Sequence, residues 1–554
     1  MSLARAHAIA LVGVQGHAVE IEVDIENGMV ALLLIGLPDT ALREARDRIR
    51  SAIVNSGEAW PTRRITVGLS PASLPKRGSG FDLGIAMAIL AAAGSVPAAA
   101  LRGLVLIGEL GLDGRVRPVP GVLPAAAAAA AAGFDAVAVA TENAAEAALV
   151  PELRVIAAPS LSAFTAFIRD GRRSSDTGVQ VLEPGRDTGA VCRAGHHGES
   201  VGQAVPAADR AAEARAGSGV AAGLTIAGHS AMPAGAKDLA DLVGQPVARR
   251  AAEICAAGGH HLMLLGPPGC GKTMLAERIP TVLPRLEPAA ALEVSAIHSV
   301  AGTLPPGRPL VIEPPFCAPH HTATRAAIVG GGSGVIKPGA ASLAHHGCLF
   351  LDEAPEFSRD VLDGLRQPLE SGEVVVARAG VTARFPAKLT LIMAANPCAC
   401  ASARSAGSAC SCTPLARRRY LARLSGPLLD RVDAKIEFFP VRRTELLSDR
   451  AFTEPSSVVA ERVLAARLRA AARLAGTPWR LNAQIPGSEL RRRFAPARGT
   501  LAPLERAMDL GRISARGADR VIRLSWTLSD LAGLRSPGAS EVGYALGLWL
   551  GTPQ

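Results

Sequence analysis

The sequence predicts an α/β protein of several domains built around a parallel sheet, and three observations carry that reading. Short apolar strands alternate with helical stretches over most of the chain. A glycine-rich octapeptide, Gly266-Pro267-Pro268-Gly269-Cys270-Gly271-Lys272-Thr273, stands between one such strand and a helical run. A polar, aperiodic stretch over 172–236 separates two ordered regions.

A chain of 554 residues exceeds one ordinary core, and four segments are expected. Residues 1–171 form an α/β region, in which Val19–Ile25, Arg64–Val67 and Ala136–Val139 read as strands. Residues 172–236, rich in Gly, Ser, Ala, Asp and Arg, read as a flexible linker; that length is unusual inside a compact domain. Residues 237–442 hold three near-continuous apolar strands, His261–Leu265, Gly347–Leu351 and Lys388–Ala395, as a sheet covered on both faces requires. Residues 443–554 read as mostly helical, with apolar spacing over Ser456–Leu474 and Ser514–Leu534.

Composition narrows the class only a little. The apolar fraction of 49% is ample for several cores, and 3% aromatics makes those cores aliphatic. The net charge of +10 is compatible with nucleic acid or an acidic partner. Only six of the 59 basic residues are lysine, however, so an Arg- and Ala-heavy genome explains the charge equally well. Near the N-terminus Gln15, His17, Glu20, Glu22 and Asp24 interrupt the apolar run, which reads as an alternating strand and not a signal peptide. The alanine run over 125–132, bounded by Pro124 and Gly133, falls far short of a membrane span. Cytoplasm is the expected location, with reduced cysteines and no membrane partner.

The octapeptide carries the first chemistry. Its glycines let backbone N–H groups turn inward around phosphates, and the following helix adds its positive end. Lys272 is placed to reach the β and γ oxygens of ATP, and Thr273 to ligate Mg²⁺. Roughly eighty residues later Leu349-Phe350-Leu351 runs into Asp352-Glu353. At the end of a neighbouring buried strand, Asp352 can hold Mg²⁺ through water, and Glu353 can orient or deprotonate the attacking water. Asn396, ending the third strand, can position the same water.

Several longer segments then carry a resemblance. They are Phe316-Cys317-Ala318-Pro319-His320-His321-Thr322-Ala323-Thr324, Ile328–Gly332, Ser342–Gly347, Leu362–Gly372 and Leu424–Asp433. The layout resembles the AAA+ superfamily in its magnesium-chelatase-like branch, and these segments resemble the ComM/YifB family over nearly the whole chain outside 172–236. The resemblance implies an AAA+ P-loop parallel-sheet core with a C-terminal helical lid. It implies that Asn396 is sensor 1 and that Arg431 is an arginine finger acting on the neighbouring subunit's ATP. A homo-oligomeric ring, a hexamer, follows from that. Arg516, in Ser514-Ala515-Arg516, matches the sensor 2 arginine of the lid, with Arg520 as the nearby alternative.

The N-terminal region resembles the Lon-protease-like (S5-type) α+β domain of the same family through Leu69–Ala86 and Ile107–Val119. Peptidases of that type use a Ser nucleophile and a Lys base. Alignment on Gly84-Ile85-Ala86 puts Asp82 at the Ser position, and alignment on Arg115–Pro118 puts Leu123 at the Lys position. Ser79 and Lys76 are close by in the wrong register. No peptidase activity is expected.

Cys398, Cys400, Cys410 and Cys412 form two C-x-C pairs nine residues apart. Four thiolates suit tetrahedral Zn²⁺, although C-x-x-C is the commoner spacing. A DNA-contacting loop with free thiols and a redox pair are the other readings. His320-His321 and His345-His346 offer a second metal site, against which their family context favours structural or pore-loop roles.

The resemblance implies an ATP-driven ring acting on single-stranded or branched DNA, a branch-migration helicase in recombination or natural transformation. Arg325, Arg378, Arg384 and Arg417-Arg418-Arg419 are the candidate phosphate contacts. The alternatives are a metal-chelatase motor subunit and a protein-remodelling AAA+ partner without a DNA role. The N-terminal domain, which chelatase motor subunits lack, is taken to separate the first reading from the second.

Overall fold

The computed structural model describes residues 2–36, 39–76, 78–171, 177–184, 237–305, 307–332, 336–378, 381–400, 412–441, 443–449, 452–497 and 499–552. The N-terminal domain is one mixed sheet with helices packed against it. Its strands are β1 (Ser2–Val12), β2 (Gln15–Glu26), β3 (Ala31–Ile35), β4 (Arg64–Ser70), β5 (Leu104–Leu106), β8 (Ala136–Ala140), β9 (Arg154–Ala158) and β10 (Gln180–Leu182). They lie in the order β10-β9-β8-β5-β1-β2-β4-β3. A short hairpin, β6 (Glu109–Leu110) with β7 (Val116–Arg117), stands apart from it. The alternation along β2 is read directly by the fold: Val19, Ile21, Val23 and Ile25 are buried and their neighbours face outward. Helices α1 (Asp39–Asn55), α2 (Asp82–Ala92), α3 (Val122–Ala131), α4 (Ala144–Ala147) and α5 (Leu161–Arg169) complete the domain.

One boundary differs from expectation. Strand β10 pairs antiparallel with β9 through Gln180↔Ala157 to Leu182↔Val155, so the N-terminal sheet extends past residue 171. Three residues at a sheet edge leave no periodic signal for sequence reading to catch. Most of 172–236 lies outside the described residues.

The second sheet is fully parallel, in the order β12-β15-β18-β11-β19. These strands are β11 (Leu262–Leu265), β12 (Phe316–Cys317), β15 (Cys348–Leu351), β18 (Thr390–Ala395) and β19 (Ala434–Glu437). Two small pairs, β13 (Gly330–Gly331) with β14 (Lys337–Pro338) and β16 (Glu373–Arg378) with β17 (Val381–Pro386), form separate two-stranded sheets. Helices α6 (Pro246–Gly258), α7 (Lys272–Arg278) and α8 (Pro288–Ala301) flank the strands. The C-terminal region is helical, dominated by α9 (Ser456–Arg473), α10 (Ala515–Ala532) and α11 (Ala539–Leu550). It shares one core with the sheet: Ile254, Leu264 and Phe438 belong to the same buried cluster as Val463, Leu524 and Trp549. Among the described residues no helix is long and apolar enough to cross a membrane.

Candidate nucleotide site

All five strands of the second sheet run the same way, so the segments leaving their carboxyl ends meet at one edge. The octapeptide leaves β11 there and enters α7. Gly269 and Gly271 take φ of +75° and +99°, which is left-handed backbone that only glycine adopts cheaply. Lys272 opens α7 and is buried. Its Nζ donates to Gly266 O at 2.7 Å, Pro267 O at 2.8 Å and Asn396 Oδ1 at 3.1 Å. Burial pushes its pKa down, and the nearby Asp352 and Glu353 charges oppose that shift. Cys270 is buried, with Sγ donating to Pro267 O, and burial pushes its thiol pKa up.

Thr273 Oγ1 donates to Asp352 Oδ2 at 2.8 Å, joining the loop to the end of β15. Asp352 Oδ1 accepts the Glu353 backbone N–H at 2.9 Å. Glu353 is a non-glycine residue with φ of +50°. Its carboxylate lies 3.4 Å from His321 Nδ1. Asn396 is buried at the end of β18, between the loop and β15 in the sheet order. Lys272, Thr273, Asp352, Glu353 and Asn396 therefore converge on one edge. The loop's Gly266, Pro267 and Pro268 complete the turn.

The arginines are placed differently. The Arg431 side chain is 9% exposed and pairs with Glu370 and with Pro427 O of its own chain, leaving Nε unpartnered. Arg516 is exposed in the first turn of α10. Arg520 donates to the wholly buried Asp433 at 2.7 Å, so the alternative sensor 2 residue is committed to an ion pair. Burial would raise the Asp433 carboxyl pKa; the Arg520 charge, with His260 and His261 beside it, overrides this and holds it well below the usual range. Sequence reading missed Asp433. Its position two residues after Arg431 was visible, but its partner lies 87 residues away.

Cys398, Cys400 and Cys412 bring their sulfurs within 4.8 Å of one another, with Cys398 to Cys400 at 3.0 Å. Cys410 lies outside the described residues. The trio joins the end of β18 to the helix Pro414–Leu421, which exposes Arg417, Arg418 and Arg419. Arg325 is exposed, Arg378 donates to Gly332 O, and Arg384 pairs with Glu373 at 3.4 Å.

His345 and His346 gather with Glu293 of α8, Nε2 to Oε2, at 3.0 and 3.3 Å. His345 Nδ1 accepts the Lys388 backbone N–H at 2.9 Å, so the proton of the neutral ring sits on Nε2 and is donated to Glu293. Burial lowers the His345 pKa, which favours that neutral ring. A metal at Nε2 would compete with this proton, so the cluster reads as a hydrogen-bonded brace.

In the N-terminal domain Asp82 is buried at the start of α2. It is clamped by Arg48 of α1, Nε to Oδ2 at 2.5 Å and Nη2 to Oδ1 at 3.0 Å. Leu123 is buried. The Ser79 hydroxyl donates to Glu109, and Lys76 Nζ donates to Pro71 O.

A P-loop on the second strand from one edge of a five-stranded parallel sheet, acidic residues ending the next strand but one and a docked helical lid define the magnesium-chelatase-like class of AAA+ P-loop proteins. Family models agree: residues 238–446 match "Magnesium chelatase, subunit ChlI", residues 21–143 match "Subunit ChlI of Mg-chelatase" and residues 453–548 match "Magnesium chelatase, subunit ChlI C-terminal". The chain is 45% identical over 546 residues to an uncharacterised protein of Mycobacterium tuberculosis, covering 99% of this chain and 98% of that one. It is 38% identical over 532 residues to the uncharacterised protein YifB of Escherichia coli, covering 96% and 94%. It is 37% identical over 549 residues to the competence protein ComM of Haemophilus influenzae, covering 99% and 97%. The chain belongs to the ComM/YifB family.

Proposed function

We propose that this chain is an ATP-hydrolysing ring motor acting on single-stranded or branched DNA, with a branch-migration type of helicase activity in recombination or natural transformation. The observation that carries the ATPase reading is the Thr273–Asp352 pair at 2.8 Å, beside Lys272 and Asn396. A hydroxyl and a carboxylate at that spacing are the oxygen donors Mg²⁺ takes in P-loop sites. When bound, Mg-ATP supplies the phosphoanhydride and neutralises part of its charge. Lys272 then exchanges its loop carbonyls for phosphate oxygens, its burial strengthening the attraction. Glu353 accepts the proton of the attacking water, and Asn396 orients that water.

Arg431 serves the neighbouring subunit's site. To do so it exchanges the Glu370 carboxylate for phosphate oxygens, one anion for another. Arg516, exposed on the lid, is the sensor 2 candidate. A homohexameric ring follows from the trans arrangement, and cytoplasm is its expected location; its domains are 1–171 extended by the edge strand Gln180–Leu182, 237–442 and 443–554, with the linker up to 236 starting after that strand.

The DNA reading rests on the competence relative and on the exposed Arg417–Arg419 helix. A structural Zn²⁺ fits the Cys398, Cys400 and Cys412 thiols and would fix that helix beside Asn396. The N-terminal domain does not by itself separate motor from chelatase, because the family model it matches carries a chelatase description. The near-full-length relative described as a competence protein supports the DNA reading. The Arg48–Asp82 clamp and buried Leu123 support the absence of peptidase activity. Casein degradation abolished by Ser79→Ala would overturn that.

The test is ATPase and strand-displacement activity on forked and three-stranded DNA, with Lys272→Ala as control. Stimulation by DNA at low salt supports the motor. DNA that neither binds nor stimulates returns the chain to the chelatase-like or protein-remodelling readings.

A further inference from the structure

Arg431 can serve a neighbouring site only by leaving a contact in its own chain, and that contact is built to open. The segment Leu424–Asp433 folds back on the helix Arg366–Ser371, so Arg431 meets a residue 61 positions earlier. Its Nη2 donates to the Glu370 carboxylate and its Nη1 to Pro427 O. Among the described residues its Nε is buried without a partner. Glu370 stands near the end of its helix. Gly372 then turns the chain with φ of +71° and accepts Ala387 N–H at 2.7 Å, and Ser371 Oγ donates to Glu373 O at 3.0 Å as β16 begins. The residue that holds Arg431 therefore sits at the root of the β16–β17 hairpin, whose strands carry Arg378 and Arg384.

The pair is lopsided. The Arg431 side chain is 9% exposed and that of Glu370 is 60% exposed. A carboxylate this open is hydrated once released, so water offsets most of its share of the lost pair. An ion pair kept for stability alone also satisfies its buried donors, and here Arg431 Nε is left unsatisfied. Both Nη groups are taken within the chain, and a guanidinium so enclosed does not present itself to a second subunit. We infer that Glu370 is a latch on Arg431: an autoinhibitory contact that parks the guanidinium in its own chain and is exchanged for the neighbour's phosphate when the site turns over. The inference rests on the reading of Arg431 as a finger acting in trans. It adds that the parked state competes with the working one, so weakening the latch speeds turnover.

The experiment is steady-state hydrolysis of Mg-ATP by the full chain, without DNA. Arg431→Ala and Lys272→Ala come first, alone and co-expressed. Each alone is expected to lose turnover, and the co-expressed pair to regain part of it, because one chain supplies the finger and the other the loop. If Arg431→Ala stays active, or the pair stays inactive, Arg431 does not act in trans and the latch falls with that reading. Given complementation, Glu370→Gln and Glu370→Ala are measured. A neutral amide holds a guanidinium less strongly than a carboxylate does, so Glu370→Gln is expected to raise kcat about three- to tenfold with KM unchanged. Glu370→Ala should raise it at least as far. An unchanged or lowered kcat in either variant, at an unaltered melting temperature, overturns the latch while Arg431 remains a finger. A lowered kcat joined to a lower melting temperature overturns it too, since that marks a pair serving only the fold.

Discussion

Replacing Arg520 tests the junction between sheet and lid most directly. The Asp433 side chain has no exposure, and that of Arg520 is 18% exposed. Asp433 follows the Arg431 segment, and Arg520 sits on α10, so the pair ties the two together. Once Arg520→Met removes the guanidinium, one good donor remains for the carboxylate: the His261 backbone N–H at 2.9 Å. His260 Nδ1, at 3.8 Å, is beyond hydrogen-bond range. A buried carboxylate stripped of its cation is destabilising by about 3–5 kcal/mol. Asp433→Asn keeps an acceptor for His261 N–H and frees a guanidinium that reaches solvent, so it should lose less, about 1–3 kcal/mol. The double variant Asp433→Asn/Arg520→Met should cost less than the sum of the singles by about 2 kcal/mol. Trp479, Trp526 and Trp549 lie in the helical region, so their fluorescence in a urea titration reports the unit concerned. In thermal melts the Arg520→Met loss corresponds to on the order of 10 °C. A loss below about 1 kcal/mol for Arg520→Met, or strict additivity in the double variant, would refute the reasoning.

Three further outcomes are expected. Lys272→Ala should reduce ATP turnover by more than about a hundredfold, because its buried ammonium is the cation that the loop itself supplies; a smaller effect in a steady-state assay would remove Lys272 from the site. Removing zinc with a strong chelator should leave the fold of the sheet intact by circular dichroism but weaken DNA binding; atomic emission finding less than about 0.2 Zn per chain in untreated protein would dismiss the metal. His261 has its pKa pushed down to about 4 by burial, and its Nδ1 accepts Leu391 N–H at 3.0 Å. The unfolded ring binds its proton near pH 6.5 and the folded ring only near 4. Stability should therefore fall as pH drops through that window, by on the order of 2 kcal/mol given the ring's partial exposure. His261→Gln should flatten the loss in a pH series of melts.

Legibility from sequence followed the range of the signal. The octapeptide, Asp352, Glu353 and Asn396 were legible because each sits at the end of a buried strand, and strand ends are marked locally by a switch from apolar to polar residues. That these ends meet follows from parallel pairing, which near-continuous apolar runs already imply. Three things were not legible. Strand β12 is too short to show periodicity, so the neighbour of Glu353 could not be read. The engagement of Arg431 with Glu370, and of Arg520 with Asp433, spans 61 and 87 residues and leaves no local pattern. The extension of the N-terminal sheet by β10 was hidden because an edge strand of three residues looks like loop.

The same distinction explains how the N-terminal domain is joined to the nucleotide-binding sheet. Glu146 of α4 is buried at their contact, where its carboxylate accepts Leu123 N–H at 2.9 Å, the Asn143 amide at 3.1 Å and the Ser299 hydroxyl of α8. Gly121 N–H also donates to Ser299 O at 3.0 Å. Helix α8 then carries Glu293 to His345 and His346, immediately ahead of the strand that ends at Asp352. A buried carboxylate with three donors is satisfied only when all of them are in register, so the contact resists sliding in a way that an exposed ion pair does not. The two domains are thus held through a specific polar junction on α8, with the tether in sequence a separate matter. A side chain two turns from that junction braces the segment entering the β15 strand. Local sequence patterns could describe each domain, but the residue that locks them together reads in the sequence as one more glutamate in an alanine-rich helix.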